Sequence, residues 1–122
     1  MSWNPVCPLT RVPLARGVCV LVDGEQVALF RTGPGRLHAL SNRDPASGAM
    51  VLSRGIVGSR GDEDVVVSPM YKQAFALQTG RCLDEADLSV TVHDVRVVDE
   101  MVEVRLRSGS AAERSGQVRQ PA

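Results

Sequence analysis

Residues 65–80, with the sequence "VVVSPMYKQAFALQTG", contain two short apolar runs on either side of a loop that includes Pro69. The first run is rich in valine, which favours a strand over a helix, and the second is a short apolar run around Phe75. We therefore predict strands at 65–68 and 72–77. The Thr79–Gly80 pair after the second run is typical of a turn. The stretch therefore predicts a strand, a loop and a returning strand.

The same pattern extends over most of the chain. Gly and Pro separate short valine-rich runs that lack the apolar spacing of long helices, and further strands are predicted at 17–22, 26–30, 37–42 and 55–58. Asp23–Gly24, between the first two runs, is a strong hairpin signal because both residues tolerate positive φ. Both flanking strands are apolar at successive positions, so we expect them to be covered on both faces. We predict an all-β fold, an antiparallel β-sandwich of hairpins and meanders.

The last predicted hairpin specifies its own register around a two-residue loop at Asp99–Glu100. Valines pair across one face and opposite charges pair across the other, which is typical of a half-exposed antiparallel pair. The pairs are Val97 with Val102, Val95 with Val104, Arg96 with Glu103, and Asp94 with Arg105. Upstream, the apolar phase slips by one residue near His93–Asp94, which predicts a bulge or bend.

The composition suits one folded domain and excludes several classes of function. The chain has 122 residues, of which 43% are hydrophobic, and its 14 basic and 14 acidic residues cancel. Without a basic run interleaved with aromatic residues, we expect no binding to nucleic acid. No stretch approaches the roughly 18 apolar residues of a membrane span. We expect a cytoplasmic protein with one domain over residues 1–106 and a flexible polar tail over residues 107–122.

The cysteines Cys7, Cys19 and Cys82 are odd in number and widely spaced. No C-x-x-C or C-x-H grouping presents their thiolates to one metal ion, so we expect reduced thiols. The chain also shows no Ser-His-Asp set, no glycine-rich phosphate loop and no paired-carboxylate site. We therefore predict no catalytic, cofactor-binding or metal-binding residue in this chain.

Two segments resemble the cluster-binding loops of the Rieske iron–sulfur fold, whose usual patterns are close to N-x-C-P-H and C-P-x-H-G. The first reads Asn42-Arg43-Asp44-Pro45-Ala46, and the second reads Ser68-Pro69-Met70-Tyr71-Lys72, followed by Phe75 and Thr79-Gly80. In Rieske domains these loops lie at the tip of a β-sandwich and supply two cysteines to one iron and two histidines to the other. The resemblance implies a Rieske-like sandwich with both loops at one tip.

All four ligand positions differ from the Rieske pattern. Asp44 and Ser68 stand where the thiolates would be, and Ala46 and Tyr71 stand where the imidazoles would be. A [2Fe–2S] centre needs sulfur ligands on one iron and imidazoles on the other, and alanine has no donor atom. We therefore predict a Rieske-like domain without an iron–sulfur cluster.

Four segments in order carry a closer resemblance: "SNRDP" (41–45), "VLSRGIVG" (51–58), "SPMYKQAF" (68–75) and "LQTGRC" (77–82). Together they are similar to the small subunits of the cytoplasmic NADH-dependent nitrite reductases, a Rieske-like family that lacks the ligands. Two features depart from the family pattern. Asp99–Glu100 stands where Asp-Gly is expected, and the polar tail is additional.

The resemblance implies a function within a complex. In that family the large subunit carries FAD, the NADH site, a [4Fe–4S] cluster and sirohaem, and it reduces nitrite to ammonium. The small subunit is its partner. The resemblance therefore implies a non-catalytic subunit of an oxidoreductase that binds no cofactor itself.

The two emptied loops, residues 42–48 and 68–73, are the candidate site. Metal bonds join such loops in a cluster-bearing domain, so hydrogen bonds and packing have to offset their loss. We expect the loops to keep a cluster-like shape and to form part of the docking surface for the large subunit. The candidate loop-supporting or partner-contact residues are Asn42, Arg43, Asp44, Arg54, Ser68, Tyr71 and Lys72.

Several individual roles stay open at this point. Asn42 is expected to cap or close its loop, and Asp44 followed by Pro45 is also typical of an Asx turn. Tyr71 is either a core plug in the place of a cluster or a contact residue, because tyrosine combines apolar area with one polar group. The three cations of the set are either contact residues or ordinary solvated charges.

Two other functions are also compatible with the sequence. The chain could be a free-standing electron carrier similar to a Rieske ferredoxin, or a Rieske-like adaptor for another oxidoreductase. Bound iron with visible absorption would indicate the carrier, and the identity of co-purifying proteins would indicate an adaptor.

Overall fold

The computed structural model describes residues 2–107, and these residues form two antiparallel sheets. The strands are β1 (Asn4–Pro8), β2 (Gly17–Val22), β3 (Glu25–Gly33), β4 (Arg36–Ser41), β5 (Ile56–Arg60), β6 (Glu63–Val67), β7 (Ala74–Ala76), β8 (Val92–Val98) and β9 (Met101–Arg105). The larger sheet has the order β1-β9-β8-β4-β3-β2, and the smaller one has the order β5-β6-β7. Short 3-10 helices occupy Leu9–Arg11 and Leu52–Arg54. The prediction of an antiparallel all-β fold is confirmed.

Strand β3 belongs to both hydrophobic clusters because it is apolar on both faces. Successive side chains of a strand point to opposite sides, so alternate residues of β3 enter different clusters. The first cluster connects the two sheets and contains Ala28, Phe30, Leu40, Leu52, Val66, Phe75, Leu77, Cys82 and Val90. The second combines Val12 with residues of the larger sheet, namely Val22, Val27, Leu29, Ala39, Val102 and Val104. The continuous apolar run of β3 is therefore covered on both faces, as predicted.

Strand β2 corrects part of that prediction. Its bounds match the predicted 17–22, and the turn to β3 uses positive φ at Asp23 (50°) and Gly24 (81°). Cys19 and Leu21 are nevertheless exposed, Leu21 by 69%. The first cluster contains no residue of β2, so the face of this edge strand that carries Cys19 and Leu21 remains in contact with solvent.

The last hairpin has the predicted register in every pair. The pairs are Val95 with Val104, Val97 with Val102, Arg96 with Glu103, and Asp94 with Arg105. Both charge pairs are ion pairs, with nitrogen–oxygen distances of 2.8 and 3.0 Å. On the apolar face the two β9 valines are fully buried, whereas Val97, close to the turn, is 42% exposed.

Strand β8 changes its pairing partner at the predicted phase slip. Residues up to His93 pair with β4, residues from Asp94 onward pair with β9, and neither ladder contains a register shift. Val92 packs against the first cluster and Val95 packs against the second, so the apolar phase changes at the same point. The slip therefore marks a strand shared by two partners. Of the two predicted alternatives, the bulge is wrong, and the bend stays a prediction.

Strand β1 is an edge strand that the sequence pattern did not reveal. Pro5 and Pro8 lie within it, and proline is tolerated in strands chiefly at edges because it donates no backbone hydrogen bond. Trp3 leads into this strand, and its ring stacks on the guanidinium groups of Arg96 and Arg105, at 4.1 and 4.6 Å from the ring centroid. These cation–π contacts fix the start of β1 on the last hairpin.

Strand β7 is shorter than the predicted 72–77, because Lys72 has a left-handed backbone (φ 62°) and belongs to the preceding loop. The turn after β7 requires Gly80, whose φ is +80°. A Cβ atom at this position would lie 1.9 Å from the carbonyl oxygen of Val90. The predicted Thr79–Gly80 turn is therefore confirmed, and the close backbone approach explains its glycine.

Several other predictions concern the chain as a whole. The predicted flexible tail falls, apart from Arg107, on residues 108–122, which lie outside the described residues. The described chain offers no helix with the length and hydropathy that a membrane crossing requires. Cys7, Cys19 and Cys82 are free thiols, and burial raises the pKa of the first two, which disfavours the thiolate form.

The turn between β8 and β9 provides a test of backbone strain. Asp99 and Glu100 both have positive φ, 51° and 66°, and a side chain in this left-handed region costs about 1–2 kcal/mol. Glu100→Gly should therefore raise the free energy of unfolding by about 1 kcal/mol, which urea denaturation measures. Glu103→Gly, within β9, is the control and should lower it. A Glu100→Gly protein no more stable than the original would contradict the turn conformation.

Candidate functional site

The two candidate loops meet at one end of the molecule, which we call the tip. The first loop, residues 42–48, follows β4, and the second loop, residues 68–73, follows β6. The hydroxyl of Ser68 donates a hydrogen bond of 2.5 Å to Oδ2 of Asp44, and both residues are fully buried. The two positions where a Rieske domain has thiolates are therefore joined directly to each other.

The first loop is closed around Asp44. The backbone nitrogen of Asp44 donates to the carbonyl of Ala49 (2.8 Å), and the nitrogen of Gly48 donates to the carbonyl of Asp44 (2.7 Å). Oδ1 of Asp44 accepts from the nitrogens of Ala46 (2.7 Å) and Ser47 (3.3 Å). The predicted Asx turn is confirmed, and the carboxylate holds its own loop as well as the neighbouring one.

The second loop is closed around Ser68 in the same way. The nitrogen of Ser68 donates to the carbonyl of Gln73 (2.9 Å), and the nitrogen of Lys72 donates to the carbonyl of Ser68 (3.0 Å). Oγ of Ser68 accepts from the nitrogen of Met70 (3.2 Å). Both loops therefore share one hydrogen-bonding frame, which begins at the thiolate position and includes a proline immediately after it.

Lys72 stands at the left-handed position of this frame. In the first loop the equivalent residue is Gly48, with φ 83°, whereas Lys72 has φ 62°. The turn after β7 has the same pair of hydrogen bonds, between Ala76 and Arg81 and between Gly80 and Ala76, and its left-handed residue is Gly80. Of these three turns, only the second loop holds a residue with a side chain in the left-handed conformation.

Asn42 closes the first loop from inside, as predicted. It is buried, and its Nδ2 donates to Oε1 of Gln26 (3.0 Å) and to the carbonyl of Met50 (3.1 Å). Its Oδ1 accepts from the nitrogen of Ser53 (2.7 Å). Because Ser53 belongs to the 3-10 helix Leu52–Arg54, this amide also fixes the segment that carries Arg54 next to the first loop.

A carboxylate from outside the loops anchors the base of the second loop. Oδ2 of Asp84 accepts from the nitrogen of Ala74 (2.8 Å), and Oδ1 pairs with the guanidinium of Arg60 (2.9 Å). These bonds, chiefly the one from Arg60, lower the pKa of Asp84. A carboxyl group with a lowered pKa stabilises the fold above its unfolded pKa, and this contribution is lost as pH falls through its folded pKa. The anchor is therefore present at neutral pH.

The residues at the four ligand positions do not fit an iron–sulfur cluster. Asp44 and Ser68 satisfy each other, Ala46 has no donor atom, and Tyr71 carries a phenol in place of an imidazole. Residues 2–107 contain no group of three or more His, Cys, Asp or Glu side chains arranged to hold a metal ion. Tyr71 is 60% exposed, so the alternative that it plugs the core is wrong.

The outer surface of the tip combines apolar side chains with positive charge. Met70 is 44% exposed, Tyr71 is 60% exposed, and the exposed cations of the tip are Arg43, Arg54 and Lys72. Within the described part of the chain, none of these cations forms an ion pair. The structure thus separates the seven predicted residues into three that are buried and four that are exposed.

A groove of about 420 Å³ opens beside the first loop. Its lining includes Glu25, Gln26, Ser41, Arg43, Pro45 and Met50. Sequence reasoning missed Gln26 and Asp84 as loop supports, because neither contact belongs to an alternating pattern or a known motif. It also missed the pair of main-chain hydrogen bonds that both loops share. The proline that follows Asp44 and the proline that follows Ser68 were the sequence feature that could have indicated it.

A family model that describes a Rieske-like [2Fe-2S] domain matches residues 2–105. This match covers nearly all of the described chain, including both loops. The fold and the paired loops therefore define a Rieske-like domain.

Two individual relatives place the chain within one family of Rieske-like domains. The nitrite reductase (NADH) small subunit of Salmonella typhimurium is 40% identical over 105 residues, which are 85% of this chain and 97% of that protein. A crystal structure described as an NADH-dependent nitrite reductase small subunit from Mycobacterium tuberculosis has a TM-score of 0.82 and 49% identity, covering 87% of this chain and 96% of that one. The chain belongs to the family of NADH-dependent nitrite reductase small subunits, which confirms the resemblance found in the sequence.

A third relative is a much longer protein. The nitrite reductase [NAD(P)H] large subunit of Klebsiella oxytoca is 40% identical to this chain over 95 residues. The match covers 78% of this chain but 10% of that protein. In this relative, a sequence similar to the small subunit is therefore one segment of the large chain.

Removing the Asp44 carboxylate should destabilise the protein more than converting it to an amide. Asp44→Ala leaves the buried Ser68 hydroxyl and two partly buried backbone N–H groups without their acceptor, so we expect a loss of about 3 kcal/mol in the free energy of unfolding. In Asp44→Asn the amide can accept from the backbone and donate to the hydroxyl, so we expect about 1 kcal/mol. Urea denaturation measures both losses, and equal values would contradict the role assigned to the carboxylate.

Proposed function

We propose that this chain is the non-catalytic small subunit of an assimilatory NADH-dependent nitrite reductase, the complex that reduces nitrite to ammonium. The observation that carries the proposal is the Klebsiella oxytoca large subunit, which contains a similar sequence within its own chain. A covalent link keeps two domains together at high effective concentration. A separate domain has to reach the same place by non-covalent contact, so the large subunit is the partner that we assign.

In this proposal the redox cofactors belong to the large subunit. FAD, the NADH site, the [4Fe–4S] cluster and sirohaem are placed there, and no cofactor is placed in this chain. The residues at the cluster-ligand positions support placing no cofactor in this chain. Asp44 and Ser68 are hydrogen-bonded to each other, and Ala46 has no atom that could bind a metal. The three free thiols support a location in the reducing cytoplasm.

The burial of the candidate residues suggests two roles. Those that are buried and hydrogen-bonded support the loops, namely Asn42, Asp44 and Ser68. Those that are exposed are assigned to contact with the large subunit, namely Arg43, Arg54, Tyr71 and Lys72. Loops that are closed by their own hydrogen bonds lose little conformational freedom on binding, which favours such a contact surface.

Co-expression of the large subunit with and without this chain tests the proposal. We expect the two chains to co-purify, and we expect NADH-dependent nitrite reduction per large subunit to be higher when this chain is present. The assay follows NADH oxidation and ammonium formation in the same samples. Failure to co-purify together with unchanged nitrite turnover would contradict the proposal. Co-purification with a different oxidoreductase would instead favour the adaptor function.

A loop variant tests where the large subunit binds. The triple variant Arg43→Ala, Tyr71→Ala, Lys72→Ala should fold normally, because all three side chains are exposed, but should lose most of its binding to the large subunit in a pull-down. The control is Arg11→Ala with Val98→Ala, two exposed side chains near the β8–β9 turn, to which the nitrogen of Leu9 is hydrogen-bonded. Equal binding by the two variants would contradict docking through the tip.

The metal content of the purified chain separates the subunit from the electron carrier. We expect neither stoichiometric iron nor the visible absorption of a [2Fe–2S] centre, because no sulfur or imidazole ligand occupies the four loop positions. Iron analysis and an absorption spectrum of anaerobically purified protein provide the measurement. Stoichiometric iron with visible absorption would favour a carrier similar to a Rieske ferredoxin.

A further inference from the structure

Lys72 occupies a backbone conformation that is unfavourable for a residue with a side chain. Its φ of 62° lies in the left-handed region, where the two turns with the same hydrogen bonds have Gly48 and Gly80. Within residues 2–107 the Lys72 ammonium forms no ion pair that offsets this cost. Strained backbone positions cluster at binding and functional sites, so a strained residue in the candidate site is a candidate for partner contact.

The outer side of the loops is cationic. Arg43 and Lys72 are exposed, whereas the only carboxylate within the two loops, that of Asp44, is buried. Asp84, at the base of the second loop, is already paired with Arg60. A protein surface that covers the loops therefore has to supply negative charge of its own to complement Arg43 and Lys72.

The residues before Lys72 add an apolar centre to this surface. Pro69, Met70 and Tyr71 are all exposed, the last two by 44% and 60%. Tyrosine is enriched among the few side chains that dominate the binding energy of an interface. Tyr71 is also the single tyrosine of the chain, so its ring is a specific feature of this loop.

We infer that Tyr71 and Lys72 together form the element that recognises the large subunit, an inference that rests on the proposed function. The Tyr71 ring inserts into an apolar pocket of the large subunit, and the Lys72 ammonium pairs with a carboxylate at the rim of that pocket. The left-handed backbone fixes the direction in which both side chains leave the loop. The strain at Lys72 is therefore the cost of presenting this pair in a fixed geometry.

The experiment compares stability and affinity in the same variants. Lys72→Gly should raise the urea midpoint of unfolding, because glycine relieves the left-handed strain, and should weaken binding to the cofactor-loaded large subunit by about tenfold. Biolayer interferometry with the immobilised large subunit measures the affinity. Lys72→Arg keeps the charge and should bind like the original protein. Glu100→Gly is the matched control, since it relieves similar strain in the β8–β9 turn and should leave the affinity unchanged.

Salt and Tyr71 provide the second readout. Higher ionic strength should weaken binding of the original protein more than that of Lys72→Gly, because the ammonium contact is screened. Tyr71→Phe should retain the affinity, and Tyr71→Ala should lose about tenfold. Unchanged affinity of Lys72→Gly or of Tyr71→Ala would overturn this inference while leaving the proposed function intact. An original protein that neither binds the large subunit nor affects its turnover would overturn the proposed function itself.

Discussion

A hydrogen bond between two buried side chains, the Ser68 hydroxyl and the Asp44 carboxylate, is the contact on which the tip depends. It joins the two positions at which metal-bound thiolates connect the loops of a Rieske domain. One hydrogen bond provides much less stabilisation than a set of metal–ligand bonds. The rest of the loop structure therefore has to supply the remaining order.

The loops supply it through backbone closure. Each forms the same pair of main-chain hydrogen bonds, around Asp44 in the first loop and around Ser68 in the second. Asn42 adds side-chain bonds to Gln26, Met50 and Ser53 beneath the first loop. Every buried polar contact of this kind removes freedom before a partner arrives, so the exposed side chains are presented on a fixed surface. The burial of the supporting side chains also explains why support and contact fall on different residues. A buried side chain that holds the loop is not accessible to a partner.

Much of the fold could be predicted from the sequence because its signals are local. The register of the last hairpin follows from alternating apolar and charged pairs on either side of one short turn, and the Asx turn follows from Asp44 and its neighbouring proline. What escaped prediction has no repeating pattern in the sequence. Gln26 meets Asn42 across the sheet, and Asp84 reaches the base of the second loop, with no spacing that signals either contact. The exposure of Tyr71 likewise depended on whether Asp44 and Ser68 fill the site between them.

A double-mutant cycle on Asp44→Ala and Ser68→Ala, with free energies of unfolding from urea denaturation, tests the central claim most directly. If the two side chains replace the cluster as the link between the loops, each single variant leaves its partner buried and unsatisfied. The double variant should then lose about 1–3 kcal/mol less than the sum of the two single losses. Losses that add to within about 0.5 kcal/mol would show that the two side chains act independently, and would contradict the account.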